Sequence, residues 1–289
     1  MFAHNRLQGT LLVLAAALCW STAGIIVRHL EVQGIPVVFA RSAFMALGVG
    51  LYLLARHRGR IGLVFKEAGK TGVISGLLLG ASFIMFILAI TYMPVANAYV
   101  LMCGSPLVSA LLGRWWLNER LSPAILGAIL LALVGIGVMF AEGMGDMTIT
   151  GTVFGLGVAL AFGANVVLLR QKRHIDMVPS AFLGGLFSAL ATLPFVEVAA
   201  IPLTDLPWLA LLGFVQLGAG LILFVHGTRH LPSAEASLLT LGEAVMAPVW
   251  VWLLIAETPS PATIAGGLIV LAAVALQTIS KRQSPASRE

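Results

Sequence analysis

Charge is what this sequence has least of. Charged residues make up 10% of its 289 positions, where an ordinary soluble domain carries about 25%. So few charges cannot cover a water-facing surface, which excludes a soluble globular class. Cysteine is scarce too. Cys19 and Cys103 both fall inside apolar runs, which excludes a disulfide framework and implies free buried thiols. No connection between apolar runs is long enough to hold a soluble domain. HExxH and GxSxG are missing, so no hydrolase signature supports an intramembrane enzyme. Gly69, Lys70 and Thr71 resemble the end of a phosphate loop, but Val64 stands where its first glycine belongs and no strand precedes it. His226 and His230 are spaced i, i+4 as metal ligands can be, without a third ligand at the same depth. No metal, nucleotide or other cofactor is therefore expected.

What the chain does have is apolar length. Hydrophobic residues make up 59%, and runs near 20 residues recur, about the length of helix that spans a hydrocarbon core. The reading is an all-α integral membrane protein with ten transmembrane helices, at roughly 8–28, 35–55, 71–92, 94–114, 121–140, 150–170, 179–197, 207–229, 232–256 and 261–280. The first run is read as a retained helix, not a signal peptide, because it has a partner later in the chain. Pro36, Pro94, Pro179, Pro207, Pro232 and Pro261 lie at or near span starts, where a missing N–H costs little.

The net charge of +5 raises the question of nucleic acid, and its distribution answers it. With the N-terminus inside, 15 of the 17 basic residues fall in inside segments; only Arg28 lies outside, and Arg41 lies within the second span. Glu31, Glu142, Asp146, Glu197, Asp205 and Glu257 mark the outside loops. Excess Lys and Arg marks cytoplasmic segments. Both termini are expected in the cytoplasm, with anionic membrane lipid as the ordinary partner of the basic segments and no nucleic acid.

The chain also repeats itself. Positions 80–124 align with 218–262 without a gap, through Gly80/Gly218, Phe86/Phe224, Pro94/Pro232, Ala96/Ala234, Gly104/Gly242, Glu119/Glu257 and Pro123/Pro261. The opening GTLLVLAAALCWS (9–21) matches GTVFGLGVALAFG (151–163). Two five-helix units follow, 1–145 and 146–289. Five is odd, so the second unit enters from the opposite face. Inverted repeats are frequent in secondary transporters, which bind substrate near the midplane between the halves.

Span 1, with G-T-x-x-x-x-x-A-L-x-W-S, resembles the EamA unit of the drug/metabolite transporter superfamily. So do the two signatures N-E-R-L-S-P and A-E-T-P-S-P, and the segment LPSAEASLLTLGEAVMAPVWVWLLIAETPSPATIAGGLIVL. The resemblance covers nearly the whole chain. It implies a ten-helix bacterial inner-membrane carrier, commonly an exporter of amino acids or other small metabolites. One departure is local: Ala244 follows Glu243 where the family pattern often has proline, and the proline comes at Pro248.

The candidate site starts from Glu243, a carboxyl group near the centre of an apolar span. Ionisable groups avoid lipid and face a bundle interior. Its repeat partner is Ser105, and Glu235 pairs likewise with Asn97. Spans 4 and 9 are therefore expected to line a shared interior, with Pro106 and Pro248 freeing carbonyls nearby. Glu243 reads as a substrate-amine anchor or proton carrier, or else as a neutral acid bonded to a neighbouring helix. Arg41 reads as a carboxylate ligand, an ion-pair partner or a snorkelling side chain. Asn165 and Gln216 line the path or bond between helices. Trp20, Tyr99 and Trp250 stack on an apolar substrate or pack. Tyr92, Trp115, Trp116 and Trp208 read as interfacial aromatics. Gly72, Gly76 and Gly80, four apart, read as a close helix contact. Without an ATP-binding loop, energy must come from gradients. The expected function is secondary export of small polar or amphipathic metabolites, amino acids first, with proton coupling through Glu243 as one option. A flippase for a lipid-linked precursor, and a non-transporting membrane sensor or assembly protein, are the rivals.

Overall fold

The computed structural model describes residues 2–256 and 258–280; Glu257, Lys281, Arg282 and Arg288, used above, lie outside the described residues. Among the described residues there is no strand. Nine helical segments among the described residues are long and apolar enough to cross a membrane, from Asn5–Val27 to Ser233–Leu254.

The helices run α1 (Phe2–Ser21), α2 (Ala23–Val27), α3 (Ile35–His57), α4 (Ile61–Tyr92), α5 (Val95–Met102), α6 (Ser105–Leu117) and α7 (Pro123–Phe140). They continue with α8 (Ile149–Gln171), α9 (Val178–Thr192), α10 (Leu206–Leu211), α11 (Gly220–Thr228), α12 (Ser233–Thr240), α13 (Gly242–Ile255) and α14 (Pro261–Ser280). Starts follow the local chemistry. Proline occupies the first turn of α3, α6, α7 and α9, where no N–H is needed. Ser122 and Thr148 cap α7 and α8, accepting from the N–H groups of Ile125 and Gly151.

Four spans are interrupted, and each interruption has a physical cause. The third span starts ten residues earlier than expected, at Ile61, because a short turn of helix precedes the crossing. Gly69, at φ 53° and ψ −147°, joins the two pieces, a conformation open to glycine. The Gly-Lys-Thr triplet is thus a helix junction. In the first span, Ser21 and Thr22 turn their hydroxyls back on the carbonyls of Leu18 and Cys19, and the helix breaks between α1 and α2. Span 4 breaks at Cys103–Gly104, and span 9 breaks at the matching Leu241–Gly242. The ladder tightens to i−3 bonds at both, Gly104 N–H to Leu101 and Leu241 N–H to Leu238. Pro106 sits just inside the new start of α6. Pro248 does not mark the break in its span; it lies within α13, because the ladder is already reset at Leu241.

Packing comes in matched pairs. α4 packs on α8 and α9, while α11 packs on α1 and the π-helical turn Leu212–Ala219 packs on α3. α6 packs on α8 as α13 packs on α1, and α3 pairs with α9 as α7 pairs with α14. Close approach is paid for in glycine. A Cβ on Gly76 would meet Leu183 Cβ at 2.6 Å and one on Gly80 the Gly184 carbonyl at 2.9 Å, so this face of α4 seats α9. Trp115 and Trp116 are exposed, and Trp208 stacks on His29 with ring centres 4.4 Å apart.

Candidate functional site

A cavity of about 560 Å³ lies where the two halves of the chain meet. Its walls come from α1, α3, α4, α5, α8, the π-helical turn and α13. Arg28, Val95, Phe140, Thr258 and Thr263 line it at one end of the bundle, so it reaches from the middle of the bundle to that end.

Glu243, Ser105, Arg41, Gln216, Trp20 and Tyr99 all line this cavity. The breaks in spans 4 and 9 set Ser105 and Glu243 in the first turns of α6 and α13. Arg41 reaches it from α3, with its guanidinium carbon 5.7 Å from the Phe83 ring centre. Gln216 stands in the π-helical turn and donates to the Trp20 carbonyl at 3.3 Å; its own carbonyl oxygen is buried without a partner. A π-helical turn is rare and is often found at functional sites. Trp20 meets Phe162 edge-on at 6.0 Å, and Tyr99 stacks on Phe140 at 5.6 Å.

The other four candidates lie elsewhere. Asn165 is fully buried and accepts from the Ser75 hydroxyl, joining α8 to α4. Trp250 donates to Ser21 Oγ at 2.9 Å, joining α13 to the break in span 1. Asn97 donates to the Gly145 carbonyl at 2.9 Å. Glu235 pairs with Arg6 at 2.6 Å.

That last pair belongs to a charged layer at the end opposite the cavity mouth. Glu119, after α6, accepts from Arg170 at 3.1 Å and from the Ser233 N–H at 3.0 Å. Asp176 pairs with His57 at 3.1 Å and lies 3.5 Å from Arg229, and it accepts from the Val178 N–H. The pairs Arg6–Glu235, Glu119–Arg170 and His57–Asp176, and the bond from the Ser233 N–H to Glu119, tie residues before position 120 to residues beyond 169, so they close this end across both halves. The mouth end is held by bonds from uncharged donors: Asp205 accepts from the N–H groups of Glu31 and Val32, and Thr148 donates to the Tyr92 carbonyl.

Sequence reading missed most of this layer. Arg170 counted only as a topology signal, although its place at the inside end of span 6, the same end as Glu119, was visible. It also missed Phe83, Phe86, Phe140 and Phe162, whose presence in the cavity depends on helix rotation. Among the described residues no group of three His, Cys, Asp or Glu is placed to hold a metal. His226 donates to the Ile222 carbonyl through Nδ1, and burial, Arg229 and Arg170 pull His230 below the usual histidine range. Both cysteines are free thiols.

The sequence profile of the EamA-like transporter family matches residues 7–141 and again 149–279. The chain is 27% identical over 287 residues to the pseudopaline exporter CntI of Pseudomonas aeruginosa strain UCBPP-PA14, covering 95% of this chain and 97% of that one. It is 29% identical over 205 residues to an uncharacterized transporter of Vibrio cholerae, covering 69% of this chain and 64% of that one. A solved crystal structure of a protein with 20% identity superposes with a TM-score of 0.81, covering 96% of this chain and all of that one, which supports the fold. The family's members move small molecules across membranes and are not enzymes. With both halves of the sequence matching that profile, and apolar helices enclosing a largely apolar cavity that carries a few polar groups, the chain belongs to the EamA-like transporter family.

Proposed function

We propose that this chain is a secondary exporter of small metabolites, amino acids and their relatives first, working by alternating access in a bacterial inner membrane. Two inverted five-helix units, 1–145 and 146–289, would cross the membrane ten times, α14 being the tenth crossing, with both termini cytoplasmic. The matched packing pairs and the matched breaks at Gly104 and Gly242 support the two-unit reading. The separate family matches to 7–141 and 149–279 support it too. The likeness to a pseudopaline exporter over 97% of that protein supports export of a small metabolite.

One observation carries the proposal. The cavity between the halves reaches one end of the bundle, while ion pairs that cross between the halves close the other. That is the form of one state of an alternating-access carrier. In the proposed topology the closed end faces the cytoplasm. Glu243 would bind the solute, a proton, or each in turn, with Ser105, Gln216, Arg41, Trp20 and Tyr99 around it. Asn165 and Trp250 would hold that geometry, and Glu235 and Asn97 would act at the two ends.

The test is an untargeted comparison of metabolites inside and outside cells that express wild type or Glu243→Gln at matched membrane levels. Specific small molecules should leave wild-type cells and fail to leave the variant. Equal export by both would remove Glu243 from the mechanism. No change in any metabolite would favour a lipid-linked precursor as cargo. If protons couple through Glu243, wild-type export should vary with external pH; a Glu243→Gln rate with the same pH dependence would sink that coupling.

A further inference from the structure

Two opposite charges face one cavity and do not meet. Arg41 and Glu243 both line it. Among the described residues neither forms an ion pair with the other or with anything else. The Arg41 Nε is buried without a hydrogen-bond partner, and the guanidinium carbon lies 5.7 Å from the Phe83 ring centre. Tyr99, on α5, lines the same cavity. Arg28 also lines the cavity, but it is exposed at the mouth and is not without a partner.

Such an arrangement is costly. A buried guanidinium without a counter-ion loses several kcal/mol of solvation. A buried lone carboxyl group favours its neutral form until a cation arrives to share the site. The two groups come from different helices, α3 seated against the π-helical turn at Gly213 and α13 starting after the break at Leu241. The two unpaired groups and the aromatic rings that line the same cavity define what would fit.

We infer, on the basis of the transporter reading above, that Arg41 and Glu243 are a divided ion pair that selects solutes bearing an anion and a cation on one apolar body. The carboxylate of the solute meets the Arg41 guanidinium, its ammonium meets Glu243, and its apolar part lies along Phe83, Phe162 and Tyr99. A simple acid or a simple amine answers only one of the two protein charges and leaves the other bare. The two residues are therefore specificity determinants that work jointly, and neither alone defines the solute.

The experiment measures binding to the purified full chain through tryptophan fluorescence excited beyond phenylalanine absorption, since Trp20 lines the cavity. The probes are phenylalanine, phenylalaninamide, which lacks the carboxylate, and N-acetylphenylalanine, which lacks the ammonium. Wild type should bind phenylalanine roughly tenfold to a hundredfold more tightly than either derivative, the range of one charge-assisted hydrogen bond. Arg41→Gln should erase the preference over the amide and keep the preference over the N-acetyl compound. Glu243→Gln should do the reverse. Arg41→Lys and Glu243→Asp keep the charges and should keep both preferences, which separates charge from packing. Equal binding of all three probes by wild type overturns the inference. So does a uniform loss in both neutral variants, or no binding of phenylalanine. If metabolite export still requires the wild-type chain in any of those cases, the transporter reading stands and only the divided pair falls.

Discussion

Breaking the Glu119–Arg170 pair is expected to open the closed end of the bundle. Glu119 is the only described acceptor that holds both Arg170 and the first N–H of α12. Their side chains are largely buried, at 14% and 21% exposure. Removing one partner of a mostly buried pair costs about 3 kcal/mol, because the other charge remains out of water. Such a change moves a two-state balance by roughly a hundredfold. The fold around the cavity stays, since α8 also packs on α4 and α6. The readout is thiol labelling at Ser237, a buried residue of α12 between the layer and the cavity. In a background lacking Cys19 and Cys103, Ser237→Cys should react with a polar thiol reagent at least about tenfold faster once Glu119→Gln is added. Equal labelling in the two proteins would mean that this pair does not close the end.

Gly213→Val should have the largest effect on stability. A Cβ at Gly213 would strike Phe44 Cβ and lie 2.7 Å from the Arg41 carbonyl and 2.8 Å from the Met45 N–H. Two of these three are backbone, so no rotamer change makes room. The π-helical turn and α3 must separate, at a cost of about 3 kcal/mol for such overpacking. Arg41 and Gln216 move with them, so solute binding should fall with stability. Gly127→Ala is the control: nothing lies within 4 Å of its Cβ position, and the exposed helix site should tolerate the change. Thermal unfolding in detergent, followed for both variants, checks the pair. A Gly213→Val midpoint equal to that of Gly127→Ala would show that the contact yields freely.

Helix position was legible because apolar runs of membrane-spanning length announce themselves without tertiary knowledge. Glu243 was legible for a related reason: a carboxyl group stands out in an apolar run. The partners were less so. Asn165 and Gln216 occupy comparable polar positions, yet one ties α8 to α4 and the other lines the cavity. A helix that is apolar all round gives no clear periodic signal of which face points inward. Freed carbonyls were expected near Pro106 and Pro248, whereas the break at Leu241 was not, because proline is visible in a sequence and a ladder tightened by packing is not. Glu235 was read with Glu243 from their repeat partners, but it lies one end nearer and meets Arg6, 229 positions away. The π-helical turn left no sequence trace that distinguishes it from an ordinary helix.

The charged layer also decides where the membrane voltage falls. A cavity that reaches one end admits water and ions, so that part of the bilayer carries little of the field. The potential drop concentrates across the thin closed end, between Glu243 and the Glu119–Arg170 layer. Moving one elementary charge through the whole field is worth about 2.3 kcal/mol per 100 mV. In the proposed transport cycle, a proton or ion reaching Glu243 from the mouth would cross little of it. The same charge leaving through the opposite end would cross nearly all of it, which would put the voltage dependence in passage through that layer and not in the binding that precedes it.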